Sequence, residues 1–133
     1  MKRRNLIQLA GSAALLPAFS FADEKYPNHP ISWICPYAAG GNADTRSRQV
    51  SKVMSEILGQ PILIENKAGG GGNIGTDAIA RAKPDGYTIG MGNFAPLAVN
   101  KTLFGNLKFD PETDLTPIVL IEKGRSEERR VGK

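Results

Sequence analysis

Two short glycine-containing segments hold the residues most able to do chemistry in this chain. The first, Tyr37-Ala38-Ala39-Gly40-Gly41-Asn42-Ala43-Asp44, directly follows the apolar run Ile31-Ser32-Trp33-Ile34-Cys35-Pro36. The second, Gly69-Gly70-Gly71-Gly72-Asn73-Ile74-Gly75, follows another apolar run. A strand that ends in a small turn and passes into a helix aims free backbone N–H groups and the positive end of the helix dipole at one spot. Such a spot binds an anion, and glycine lets the backbone come close to it. Phosphate is the first anion to test against the sequence.

The phosphate motifs do not hold up. Gly70, Gly72 and Gly75 formally match the dinucleotide fingerprint. That fingerprint needs an acidic residue roughly 20 residues on, at the end of the next strand, to hold a ribose. Here the next strand ends Gly90-Met91-Gly92-Asn93, and Asp85 belongs to a turn. No Gly-Lys-Ser/Thr follows either loop, which excludes a P-loop. Catalytic residues are sparse as well. His29, the one histidine, lies in an extended lead-in, and there is no Gly-x-Ser-x-Gly and no metal-ligand cluster. No enzyme activity, metal or cofactor is expected. An α/β enzyme using the loops for phosphate stays open as an alternative.

The elements that must hold these loops follow from apolar spacing and from Pro/Gly punctuation. Residues 31–36 read as a strand between Pro30 and Pro36. Residues 44–58 read as an amphipathic helix with Val50, Val53, Met54, Ile57 and Leu58 inward and Gly59 as its stop. Residues 61–65 read as a buried parallel strand, and 76–82 as a helix with Ile79 and Ala80 inward. Pro84-Asp85-Gly86-Tyr87 is a turn, and 88–91 a third strand. A weak helix is expected at 95–103, a loop with helical character at 109–114, and a buried strand at 116–121. Alternating strands and helices predict an α/β fold with a mostly parallel sheet. The loops after Pro36, Glu65 and Met91 should then share the carboxyl edge, where ligands bind in such folds. Asp44 and Arg48, four apart on the first helix, should pair.

The two ends read differently from the body. Lys2, Arg3 and Arg4, then the apolar residues 6–16, Pro17 and Ser20-Phe21-Ala22 make a signal peptide over residues 1–22, cleaved after Ala22. Arg3-Arg4 also resembles a twin-arginine signal, so export is expected by the Sec or the twin-arginine route. Residues 125–133 are a dense, aperiodic charge run that reads like translated sequencing adapter, with a solvated charged tail as the other reading. The chain totals +4 at pH 7, yet the leader and this tail supply all of the excess and leave residues 23–124 with one net negative charge. The basic balance is therefore no argument for nucleic acid or an anionic membrane. Cys35 is expected to be a small buried hydrophobe.

Three segments together resemble one family. They are Pro36-Tyr37-Ala38-Ala39-Gly40-Gly41-Asn42-Ala43-Asp44; the stretch from Glu65 to Gly75, of the form Asn-x-x-Gly-x-Gly-Gly-x-x-Gly; and Pro84-Asp85-Gly86-Tyr87-Thr88. In order and spacing they resemble the Bug family, the extracytoplasmic solute receptors of tripartite tricarboxylate transporters. The family's proline before the glycine run is Ala68 here, and its apolar residue before the loop proline is Cys35. The resemblance implies a type II periplasmic-binding-protein fold that closes over a small carboxylate, with residues 23–124 forming only part of the first domain. Without the opposite wall, these residues are expected to be poorly stable and to lack native affinity. The family's first loop holds a carboxylate through backbone groups and ordered waters. By that likeness Tyr37, Ala38, Ala39, Gly40, Gly41 and Asn42 form the carboxylate loop, and Asp44 braces it. Gly72, Asn73, Ile74 and Asn93 are expected at the cleft rim, although turn glycines and an asparagine tolerating positive φ would account for them equally well. The implied protein is a periplasmic monomer that works with membrane transporter subunits and binds no nucleic acid. A sensory receptor uncoupled from transport is the other reading.

Overall fold

The computed structural model describes residues 25–123, so the signal peptide and the charged tail lie outside the described residues. The centre is β1 (Ile31–Cys35), with Ile31, Trp33, Ile34 and Cys35 all buried. Fully burying a side chain of Ile size is worth roughly 1.5–3 kcal/mol, so this strand anchors the core. β2 (Ile62–Asn66) and β3 (Thr88–Gly90) pair with it in parallel, one on each side, giving the order β2-β1-β3. The register sets Cys35 opposite Asn66 and Ile34 opposite Gly90, so all three strands end together. β2 is an edge strand whose residues alternate between half-buried and exposed, with Leu63 out, rather than the fully buried strand its apolar run predicts.

α1 (Asn42–Leu58) connects β1 to β2, and α2 (Asn73–Ala80) connects β2 to β3. Both helices begin earlier than the sequence predicts, because each is entered straight from a glycine turn. Right-handed crossovers running in opposite directions place the two helices over opposite faces of the sheet. α1 ends where expected: Gly59 adopts φ 68°, and its N–H donates to Ser55 O at 3.0 Å.

The face that α1 turns inward differs from the expected one. Asp44, Ser47 and Ser51 are buried, whereas Val53 is 55% and Ile57 77% exposed. Each serine satisfies its own hydroxyl, Ser47 Oγ donating to Ala43 O at 2.8 Å and Ser51 Oγ to Arg48 O at 3.1 Å. Small side chains with no unmet polar demand let the helix sit close to the sheet. On the other side, Ile79 of α2 packs over Gly90 of β3, where a side chain would collide with it.

Beyond β3 a wide helical turn (Ala95–Val99) runs into α3 (Asn100–Phe104), matching the weak helix expected there. The strand expected at 116–121 does not form among the described residues, and Ile118, Val119 and Leu120 are exposed. A strand exists through its ladder, and no described backbone pairs with this run. The segment meets the body at an exposed ion pair, Arg46 Nε to Glu122 Oε2 at 2.8 Å, a contact worth at most about 1 kcal/mol.

The lead-in is held at the amino edge of the sheet. Tyr26 donates to Gly86 O at 2.8 Å, and the Tyr87 hydroxyl donates to Asn28 Oδ1 at 2.7 Å while accepting from Asn28 N–H at 3.0 Å. His29 stacks on Tyr87 with ring centroids 3.5 Å apart. Asp85 stabilises the turn itself by accepting from Tyr87 N–H at 3.0 Å.

Gly59 isolates one effect, because a Cβ there would meet nothing within 4 Å. Gly59→Ala should cost about 1 kcal/mol through the left-handed backbone alone. Urea unfolding should show a lower midpoint and an unchanged slope.

Candidate functional site

The common end of the three strands brings both glycine loops to one edge, and there they touch. A Cβ on Gly75 would lie 2.6 Å from Pro36 Cα and 2.8 Å from Lys67 O, so the start of α2 rests directly on the end of β1. Gly72, with φ 94°, is buried; a Cβ there would come within 2.9 Å of the Tyr37 hydroxyl and 3.4 Å of Pro96 Cγ. Thr76 Oγ1 holds the same turn by donating to Gly72 O at 2.9 Å. Burial, and secondarily the neighbouring Cys35, raise the Tyr37 hydroxyl above its usual range, so it stays protonated at neutral pH.

The first loop is organised around Asp44. Its Oδ2 accepts from Gly40 N–H at 2.8 Å and from Arg48 Nε at 3.0 Å, and its Oδ1 accepts from Asn66 Nδ2 at 3.0 Å. Asn66 Nδ2 also donates to Tyr37 O at 3.0 Å, and Asn66 Oδ1 accepts from Arg48 Nη2 at 3.4 Å. The bond from Arg48, then those from Gly40 and Asn66, hold the Asp44 carboxyl far below its usual range. Reciprocally, the carboxylate raises the Arg48 guanidinium. The pair is electrically balanced, so Asp44 adds little repulsion toward an anion at the loop.

This network sorts the loop's donors. Gly40 N–H is taken by Asp44, and Gly41 N–H leans on Ala38 O at 3.4 Å. α1 starts on Gly41 with no side-chain cap, so the first N–H groups of the helix, at Asn42, Ala43 and Asp44, are unspent. Ala38 and Ala39 are exposed, and their N–H groups make no hydrogen bond within the chain. The available donors therefore include those of the exposed Ala38, Ala39 and Asn42 and of the half-buried Ala43.

The other residues singled out from the sequence are placed as follows. Asn73 is held by Asn100, whose Nδ2 donates to Asn73 Oδ1 at 2.7 Å and to Gly71 O at 3.2 Å. Ile74 is exposed, with its Cδ1 over Gly69. Asn93 is exposed and stabilises its own turn, its Oδ1 accepting from Ala95 N–H at 3.4 Å. Neither Asn73 nor Asn93 has positive φ, so tolerance of that conformation does not explain them. Sequence reasoning missed Asn66 and the buried Asn100 as organising residues. Both act on partners more than 20 residues away, and no local pattern marks such pairs.

Two outcomes test the site's construction. Gly75→Ala should cost about 1–3 kcal/mol, since backbone atoms of Pro36 and Lys67 would have to move, and a denaturant midpoint measures it. Asp44 has a folded-state pKa below its ordinary 3.8, so its contribution is full above that value and is lost as pH falls through the lower one. Asp44→Asn should lower stability at neutral pH and flatten the decline below about pH 4 in acid titrations followed by circular dichroism.

Known proteins resemble this chain in sequence and in fold. The sequence matches the family described as tripartite tricarboxylate transporter family receptor (TctC) over residues 46–126. It is 38% identical over 116 residues to Protein BugT of Bordetella pertussis, covering 86% of this chain and 34% of that one. Among solved structures it resembles MatC from Rhodopseudomonas palustris with bound malate, at 36% identity and TM-score 0.69 over 72% of this chain and 33% of that one. An R. palustris protein solved with adipate matches at 31% identity and TM-score 0.64, over 66% of this chain and 29% of that one. A structure described as a periplasmic transporter matches at 45% identity and TM-score 0.62, over 65% and 29%. The chain spans about a third of the length of the curated relatives it matches. The parallel α/β architecture is that of periplasmic binding proteins, and the chain belongs to the tripartite tricarboxylate transporter receptor family.

Proposed function

We propose that this protein is an extracytoplasmic receptor that captures a small organic carboxylate and presents it to the membrane subunits of a tripartite tricarboxylate-type transporter. The observation that carries the reading is the uncapped start of α1 beside the exposed loop, which leaves the N–H groups of Ala38, Ala39, Asn42 and Ala43 free to meet an anion. A negative charge placed at a helix start is favoured by roughly 0.3–1 kcal/mol through the dipole, and the unpaired N–H groups there give it donors to meet. Relatives solved with malate and adipate support a carboxylate over a phosphate.

In this reading the segment from Tyr37 to Asn42 is the carboxylate loop and Asp44 holds its shape. Gly72, Asn73, Ile74 and Asn93 border the cleft. Residues 23–124 are part of the first lobe of a monomeric receptor, and a second lobe supplies the opposite wall. Residues 1–22 direct export to the periplasm. The protein acts by binding and release, so it needs neither a catalytic group nor a cofactor.

Calorimetric titration of the complete natural chain with malate, adipate and ATP tests this. One of the acids should bind with a Kd on the order of micromolar, about −8 kcal/mol, and ATP should give no heat. Tight ATP binding without a response to either acid would overturn the reading.

A further inference from the structure

We infer that Asn66 is the positioning residue of the first loop, fixing the Tyr37–Ala38 peptide so that Ala38 N–H faces the ligand. The identity of that ligand rests on the receptor reading above; the positioning itself rests on the hydrogen bonds of Asn66.

Asn66 is the last residue of β2 and lies opposite Cys35 in the ladder, beside the point where the loop leaves β1. A primary amide has two N–H donors, and both are used, one on Tyr37 O at 3.0 Å and one on Asp44 Oδ1 at 3.0 Å. The amide oxygen faces Arg48 Nη2 at 3.4 Å. The orientation of the group follows, because turning it over would set its oxygen against a carbonyl and a carboxylate and its NH2 against a guanidinium.

A trans peptide points its C=O and its N–H in opposite directions. Drawing Tyr37 O toward Asn66 therefore turns Ala38 N–H away from the body, and Ala38 is exposed with that N–H unpaired. Asp44 does the reverse at Gly40, pulling the N–H inward. The two side chains bond to each other, one holding the Ala38 donor outward and the other holding the Gly40 donor inward. Only Asn66 acts on the outward one.

Two variants of the complete natural chain separate positioning from general support. Asn66→Asp keeps the shape but sets oxygen against both Tyr37 O and the Asp44 carboxylate. Combining it with Asp44→Asn exchanges the two groups: the asparagine introduced at position 44 can donate to the aspartate introduced at 66, and Arg48 keeps an acidic partner. Neither variant can donate from position 66 to Tyr37 O.

The single variant should weaken binding of malate or adipate, whichever the unaltered protein takes, by more than tenfold and lower the unfolding midpoint. The exchange should recover the midpoint but not the affinity, and a crystal structure of it should show the Tyr37–Ala38 peptide turned. Affinity that returns together with the midpoint would reduce Asn66 to a partner of Asp44 and overturn the inference. If the unaltered protein binds neither acid, the receptor reading fails for those acids, and the peptide in the exchanged variant still decides: an unturned peptide overturns the positioning role.

Discussion

The buried Asp44 carboxylate is the constraint on which the rest of the site depends. It is a charge removed from water, and such a group is tolerated only when its lone pairs are filled. Three elements fill them here: the loop through Gly40, the end of β2 through Asn66, and the next turn of α1 through Arg48. Satisfying one carboxylate thus fixes the loop, the strand and the helix relative to one another. The parallel register of the sheet does the coarse alignment, and this carboxylate does the fine one.

An acidic residue beside the proposed anion site looks contradictory until the charges are followed. The Arg48 side chain is about half exposed, whereas that of Asp44 is 4% exposed, so the positive partner stands nearer to water than the negative one. An anion approaching the loop would meet backbone dipoles and a neutralised pair rather than a bare carboxylate. The main chain makes the electrostatic offer, and side chains only aim it. That division explains why the exposed loop positions are alanine and glycine, with nothing to obstruct the backbone.

Much of the frame is legible in the sequence, because local rules set it. Pro30 and Pro36 bracket β1, Gly59 ends α1, and Asp85-Gly86 marks the turn before β3. Where the reading fails, the cause is non-local. The apolar stripe of α1 predicts Val53 and Ile57 inside, yet the sheet accepts the narrower face of Ser47 and Ser51, whose hydroxyls are already satisfied. The run at 116–121 has every local mark of a strand but no ladder among the described residues. Asn66 and Asn100 are invisible as organisers for the same reason: their partners are set by which strands and turns end side by side. The glycine loops themselves were readable, but which of their N–H groups remain free was not.

The clamp formed by Tyr26, His29 and Tyr87 lies at the amino edge of the sheet, while the glycine loops leave from the carboxyl edge. Five residues of β1 separate the two, roughly 15 Å of extended chain. The Tyr26 hydroxyl on Gly86 O and the two bonds between Asn28 and the Tyr87 hydroxyl hold the lead-in independently of anything at the loops. This makes the exposed Lys25 a suitable attachment point for a dye or a surface tether. A probe fixed there would sit beside an anchored segment, about the length of β1 away from the glycine loops, and would not obstruct them.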